Sequence, residues 1–158
     1  MYKKVWFQSH RPFDSTNQSQ AESMDPSDPV YPSNLSAALY EIANYADCVK
    51  AILRAWTLLQ SDPKPGLLVR LSTRLAKALC NGFRGGMISS KWMQEHGSLI
   101  GDLEASATGI CSTDVDAASL SELTHVWREW KRLRSLSQNE SVEALKNFSQ
   151  LRILTPPW

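Results

Sequence analysis

The chain of 158 residues is predicted to be an all-α protein, a compact bundle of four to five mainly antiparallel helices with an extended N-terminal arm. Two observations predict this fold. From residue 34 onward, apolar residues recur at intervals of three and four, which is the spacing of one helix face. The hydrophobic fraction of 42% with 21% charged residues is typical of a soluble globular domain and excludes full disorder.

The first helix is predicted over residues 35–60, with Ser33 or Asn34 as its N-cap. The apolar residues of this segment follow gaps of four and three, and they are Ala38, Ile42, Tyr45, Val49, Ile52, Trp56 and Leu59. Additional leucines widen the stripe, which favours a globular bundle over a long isolated coiled coil. Two prolines and a glycine in residues 61–66 end the helix.

Two further helices follow from the same periodicity. The second is predicted from about Leu67 to Phe83, where a pair of glycines stops it. The third begins near Ser89 or Ser90 and has apolar residues at helical spacing. Its two glycines, at positions 97 and 101, either permit a close helix crossing or mark a break.

The C-terminal third is predicted to contain a loop and two helices. Residues 105–119 are small and weakly patterned, so they are expected to form the loop. Ser119 and Glu122 match a capping box that opens a fourth helix, and Ser137 and Glu140 match one that opens a fifth. The packing residues of the fifth helix are expected to be Val142, Leu145 and Phe148.

Three segments are expected: an extended or flexible arm over 1–33, the helical bundle over 34–154, and an extended tail over 155–158. Prolines recur every third residue near the end of the arm, which suits an extended path. Trp6 and Phe7 in the arm and Trp158 in the tail are candidate protein-interface residues, because tryptophan is enriched among interface hot spots. Alternatively, the ends fold back onto the bundle.

The net charge of +1, from 17 Lys and Arg against 16 Asp and Glu, conceals an uneven distribution. Residues 67–100 carry a balance of +4, residues 101–126 carry −5, and residues 127–135 carry +3. A free-standing nucleic-acid-binding domain is normally strongly basic, so the total argues against that class. It does not exclude a subunit that offers one basic surface to an anion.

Two basic patches are the candidate nucleic-acid-binding residues. The first is a row on one face of the second helix, where no carboxylate is present, and it consists of Arg70, Arg74, Lys77 and Arg84. The second lies on the fourth helix and consists of Arg128, Lys131, Arg132 and Arg134. A phosphate backbone is the natural partner of such rows. The alternatives are a solvated face, pairing with the acidic residues 102–122, or an acidic partner protein.

Aromatic and basic residues alternate on the fourth helix, where Trp127 precedes Lys131 and Trp130 precedes Arg134 by four positions. Such pairs can form cation–π contacts, and aromatic platforms with arginine bind unpaired bases. The competing interpretation is that both tryptophans belong to the core.

Catalytic and metal chemistry have little support. The three cysteines, at positions 48, 80 and 111, have no CxxC spacing, and His96 and His125 form no tight ligand pair with them. An odd cysteine count without such spacing favours a reducing compartment, and no apolar run is long enough for a membrane span. We therefore expect no enzyme activity, no cofactor, no metal, no membrane contact, no small-molecule substrate and a cytoplasmic location.

The sequence thus predicts a non-enzymatic helical subunit of a larger nucleoprotein assembly. Its partners are expected to be other protein subunits and the backbone of RNA or single-stranded DNA, bound without sequence preference. The alternative is an adaptor or inhibitor whose basic face meets an acidic protein and whose tryptophan-bearing ends anchor it.

Overall fold

The computed structural model describes residues 26–110 and 113–154. This part of the chain forms five helices and no strand: α1 Val30–Glu41, α2 Tyr45–Leu59, α3 Pro65–Arg84, α4 Ser90–Thr108 and α5 Ala117–Leu154. The all-α prediction is confirmed. The predicted interface residues Trp6, Phe7 and Trp158 lie outside the described residues.

The prediction of one continuous first helix over residues 35–60 is wrong. This segment forms two helices, α1 and α2, with a break at residues 42–44. Ala43 has a φ of 61°, in the left-handed region. The N–H of Asn44 donates to the carbonyl of Leu39, and the N–H of Ala43 donates to that of Tyr40. These are the two hydrogen bonds of a Schellman motif, which ends a helix. Ile42, predicted to be a packing residue, is consequently 46% exposed.

The start of α1 also differs from the prediction, which placed the cap at Ser33 or Asn34. The helix begins at Val30, whose N–H donates to Oδ1 of Asp28 at 2.9 Å. Pro32 is therefore inside the first turn, where a proline is tolerated because its missing N–H has no helical partner there.

The central helix, α3, contacts each of the other four helices. It begins with Pro65 at its first turn, as that residue's fixed φ favours. Its buried face is formed mainly by leucine and alanine, and Ser72 is fully buried within it. At its end, Gly86 has a φ of 76°, and a Cβ added to Gly82 would lie 2.6 Å from the side chain of Ile88. These two glycines allow the chain to turn closely from α3 towards α4.

The start of α4 agrees with the prediction, since the Ser89 side chain caps the helix by accepting from the N–H of Trp92 at 3.1 Å. The helix runs unbroken through Gly97 and Gly101. A Cβ added to either glycine would meet nothing within 4 Å, so the two residues mark neither a break nor a close crossing. The helix extends to Thr108, into the segment that was expected to be a loop.

The last helix corrects two predictions. It begins at Ala117. The side chain that caps its first turn is that of Asp116 and not that of Ser119. The N–H of Ser119 donates to the carboxylate of Asp116 at 3.2 Å. It then continues through Ser137 and Glu140 as a single 38-residue helix, about 57 Å long. The predicted break fails because no proline or glycine lies between residues 110 and 154 to end the helix.

The core is built mainly from α2 and α3, and α4 and α5 add further buried side chains. Three tryptophans are buried, namely Trp56, Trp127 and Trp130, whereas Trp92 is half-buried. Phe83 of α3 contacts Trp130 of α5 edge-on, with ring centroids 5.8 Å apart. None of the helices in the described residues combines the length and apolarity that a membrane span requires.

We predict that Ala43→Gly stabilises the protein by about 0.5–1 kcal/mol, because glycine removes the steric cost of a left-handed residue at some cost in chain entropy. Urea unfolding at constant m-value measures the change. The matched control is Ala105→Gly on the exposed surface of α4, expected to destabilise the protein by about 1 kcal/mol. Equal destabilisation by both substitutions would contradict the left-handed turn at residue 43.

Candidate nucleic-acid interface

The contact between α3 and α5 determines where the basic residues lie. The buried indole Nε1 of Trp127 donates to the hydroxyl of Ser72 at 2.9 Å. Two ion pairs, Lys77–Glu122 and Arg84–Glu129, join the same helices. Both partners advance by seven residues from the first pair to the second, so α3 and α5 run in the same direction along this contact.

Two cations of the first predicted patch form ion pairs with carboxylates of another helix. Lys77 pairs with Glu122, and Nη2 of Arg84 lies 2.8 Å from Oε1 of Glu129. Thus α5 supplies the carboxylates that α3 itself lacks. Glu122 belongs to the acidic segment, so pairing with that segment, one of the open alternatives, occurs at Lys77.

Arg74 serves a structural purpose within the first patch. It is half-buried, and its Nη1 donates to the carbonyl of Ser33 at 3.2 Å and to the hydroxyl of Ser36 at 2.9 Å. These bonds connect α3 to α1. Arg70, by contrast, is exposed, and no ion pair joins it to another described residue.

The second predicted patch is divided between two sides of α5. Arg132 donates to both carboxylate oxygens of Glu129, at 2.7 and 3.1 Å. Lys131 faces the other way and pairs with Glu104 of α4 at 2.7 Å. The guanidinium carbon of Arg134 lies 6.0 Å from the ring centroid of Trp130. The four cations therefore do not form one patch.

Arg128 is exposed, and no ion pair joins it to another described residue. It lines a shallow cavity together with His125. His125 also lines a second cavity with Arg84 and Glu129. Arg128 lies one helical turn before Arg132 on α5, so these two cations share a side of that helix.

Glu129 connects the two patches. Its Oε1 accepts from Arg84 and from Arg132, so a residue of α3 and a residue of α5 meet at one carboxylate. The hydrogen bond from Arg132 is the main reason that the pKa of Glu129 is lowered, with Arg132, Arg84 and His125 contributing through their charges. The same bond raises the pKa of Arg132.

We call the combined surface the α3–α5 face, and it consists of Glu41 of α1, Arg70, Arg74, Lys77 and Arg84 of α3, and Glu122, Arg128, Glu129 and Arg132 of α5. Six cations and three carboxylates give it an excess of three positive charges. Solvent-exposed ion pairs contribute little to stability, so an external anion can replace the carboxylates at low cost.

The tryptophans of α5 cannot serve as stacking platforms, because Trp127 and Trp130 are each only 2% exposed. The interpretation that both belong to the core is confirmed. A half-buried aromatic pair lies on α4, where the rings of Trp92 and His96 stack on each other with centroids 4.1 Å apart.

The cysteines give no support for a nucleophile. Burial raises the pKa of the Cys48 thiol to about 12 and also raises that of Cys80. Both thiols are therefore neutral at physiological pH and poorly reactive. The described residues contain no group of three or more potential metal-ligating side chains, and Cys111 lies outside them.

Glu129 was not predicted to belong to the site, and Glu122 was expected there only through the alternative that the basic row pairs with acidic residues 102–122. A signal was present, since their separation of seven residues equals that of Lys77 and Arg84. Two helices with this matched spacing can align both pairs.

No protein-family model matches the chain, and comparisons with curated proteins and with solved structures yield no match.

We predict that Trp127→Phe lowers the free energy of unfolding by about 1 kcal/mol more than Trp56→Phe. The first substitution leaves the buried Ser72 hydroxyl without its donor. The second is a matched control, because the buried indole N–H of Trp56 has no partner in the structure described. Urea unfolding of both variants measures the difference, and equal losses would show that the Trp127–Ser72 bond does not hold α5.

Proposed function

We propose that this protein is a non-enzymatic helical subunit of a larger nucleoprotein assembly, and that its α3–α5 face binds the backbone of RNA or single-stranded DNA. The proposal is based on one observation: Arg84 and Arg132 both donate hydrogen bonds to Oε1 of Glu129. It joins cations that lie 48 positions apart in the sequence into one surface, long enough to follow several phosphates of a strand.

The strength of binding is expected to be moderate and sensitive to salt. The face carries an excess of three positive charges, while the whole chain has a net charge of only +1. Backbone binding releases counterions and therefore weakens steeply as salt rises. Other subunits would supply the rest of the attraction, which is why we propose a component of an assembly.

The proposal includes the finer features predicted from the sequence: a mainly antiparallel packing of the helices, an extended arm and a cytoplasmic location. The arm was predicted over residues 1–33, but α1 begins at Val30, so the proposal keeps it only for the residues before that helix. In an assembly, Trp6, Phe7 and Trp158 would contact neighbouring protein subunits, since exposed aromatic anchors are typical of such interfaces.

A second candidate function is an adaptor or inhibitor that binds an acidic protein. The observation that favours it is the spacing of Glu122 and Glu129, which shows that an acidic helix can match the cations of α3. A partner helix with two carboxylates seven residues apart would present the same pattern. We place it second because two exposed cations extend the face beyond this pattern. They are Arg70 and Arg128, which no ion pair joins to another described residue.

We predict that Glu129→Gln increases affinity for a single strand by about threefold to fivefold, because it removes a negative charge and frees two guanidinium groups for phosphate. Fluorescence anisotropy with labelled 20-nucleotide RNA and DNA at low salt measures this change. The matched control, Glu95→Gln on exposed α4, changes the net charge equally but lies away from the face.

Absence of binding to either strand at low salt would overturn the proposed function. An equal gain in Glu129→Gln and Glu95→Gln would show that only the total charge matters, and would contradict the proposed face. Binding of a glutamate-rich peptide without binding of either strand would support the adaptor instead.

A further inference from the structure

An open cleft of about 280 Å³ lies at one end of the α3–α5 face, between the end of α1, α3 and the start of α5. Its walls include three cations and three hydroxyl groups, from Arg70, Arg74, Lys77, Tyr40, Thr73 and Ser119. Glu41 and Glu122 lie at the same cleft, and Glu122 is paired with Lys77. The guanidinium groups of Arg70 and Arg74 therefore remain in the cleft without an ion pair to any carboxylate of the described residues.

The charge of Arg74 is only partly compensated within the protein. The acceptors that it contacts are neutral, the carbonyl of Ser33 and the hydroxyl of Ser36, and both are reached from Nη1. A guanidinium has five N–H donors, and the donors on Nε and Nη2 of Arg74 have no hydrogen-bond partner among the described residues. Arg74 itself lines the cleft. A half-buried cation with neutral partners is costly unless an anion approaches it.

No carboxylate in the part of the chain that the structure describes forms an ion pair with Arg74. Burial is the main cause that lowers its pKa, and the neighbouring charge of Arg70 lowers it further. The Cys48 thiol stays protonated, because burial raises its pKa to about 12. The negative charge of Glu41 acts to raise the pKa of Arg74, but no ion pair within 4 Å joins the two residues.

We propose that this cleft binds one phosphate group, held between the guanidinium groups of Arg70 and Arg74. Arginine forms paired hydrogen bonds with phosphate oxygens, and two arginines one helical turn apart can hold different oxygens of the same group. The hydroxyl of Thr73 is a donor on the cleft wall for a remaining oxygen. The hydroxyl of Ser119 donates to Oδ1 of Asp116 at 2.7 Å and does not serve as a donor to the phosphate. One source of this phosphate is a strand bound to the α3–α5 face, and for that source the inference rests on the proposed function.

The phosphate has two possible sources, a nucleic-acid strand or a small phosphorylated ligand, and one experiment separates them. The arginine Nε–H signals of the ¹⁵N-labelled full chain are followed by NMR while inorganic phosphate or a six-nucleotide strand is added, with sodium chloride at equal ionic strength as the reference. We expect saturable shifts of the Arg70 and Arg74 signals with both probes and none with chloride.

Arg70→Gln tests the cleft without disturbing the helix connection made by Arg74. It should weaken phosphate binding by about tenfold, the effect of losing one charge-assisted contact. The control Lys91→Gln removes an equal charge from exposed α4, at a residue that does not line the cleft, and should leave the affinity unchanged. Circular dichroism verifies that each variant is folded.

The outcomes distinguish the cleft from the wider function. No saturable shift of Arg70 and Arg74 with either probe would overturn the phosphate site. Strand binding that shifts Arg128 and Arg132, with no shift of Arg70 and Arg74 by the strand or by inorganic phosphate, would overturn the cleft while the proposed function stands. Shifts with phosphate but not with the strand would support the cleft as a site for a small phosphorylated ligand and contradict strand binding.

Discussion

The hydrogen bond from the Trp127 indole to the Ser72 hydroxyl is the interaction on which the arrangement of charges depends. Both groups are buried, so an alternative rotation of α5 would leave a donor and an acceptor unpaired in the core. With α5 held in this orientation, Glu122 and Glu129 lie over Lys77 and Arg84. The position of each surface charge therefore follows from one polar contact inside an apolar core.

This arrangement explains how a nearly neutral chain can present a basic surface. The acidic segment does not cancel the basic segments uniformly. Glu104 pairs with Lys131 on the α4 side, while Glu122 neutralises only one member of the α3–α5 face. Arg70 and Arg128 remain exposed without an ion pair to another described residue, and Arg74 is used to connect α1 to α3.

The sequence predicted those elements whose ends are set by local chemistry. The bounds of α3 were predicted within two residues, because Pro65 and Gly85 mark them, and the cap of α4 at Ser89 was also found. The break between α1 and α2 was not predicted. The apolar spacing continues across it, and Ala43 is not a residue that usually adopts a left-handed conformation. At Ser137 a break between two helices was predicted where one helix continues. A capping-box pattern does not by itself end a helix that lacks proline or glycine.

The candidate site was predictable as a set of residues on α3 but not as a surface. The 100° rotation per residue places Arg70, Arg74, Lys77 and Arg84 on one side of α3, as predicted. Whether each cation is free depends on which residues of α5 lie opposite, and that is fixed by tertiary packing. For the same reason, Lys131 and Arg134 turn towards α4 although they follow Arg128 closely in the sequence.

We propose that the cations of α3 and α5 form one continuous face that binds a single strand of RNA or DNA. The most direct measurement is the salt dependence of binding for a strand of six nucleotides, too short to reach two separate surfaces. We expect Arg84→Gln on α3 and Arg132→Gln on α5 each to reduce the slope of log K against log salt by about 0.7, the value for one phosphate of a single strand. A slope that responds to only one of the two helices would contradict the single face.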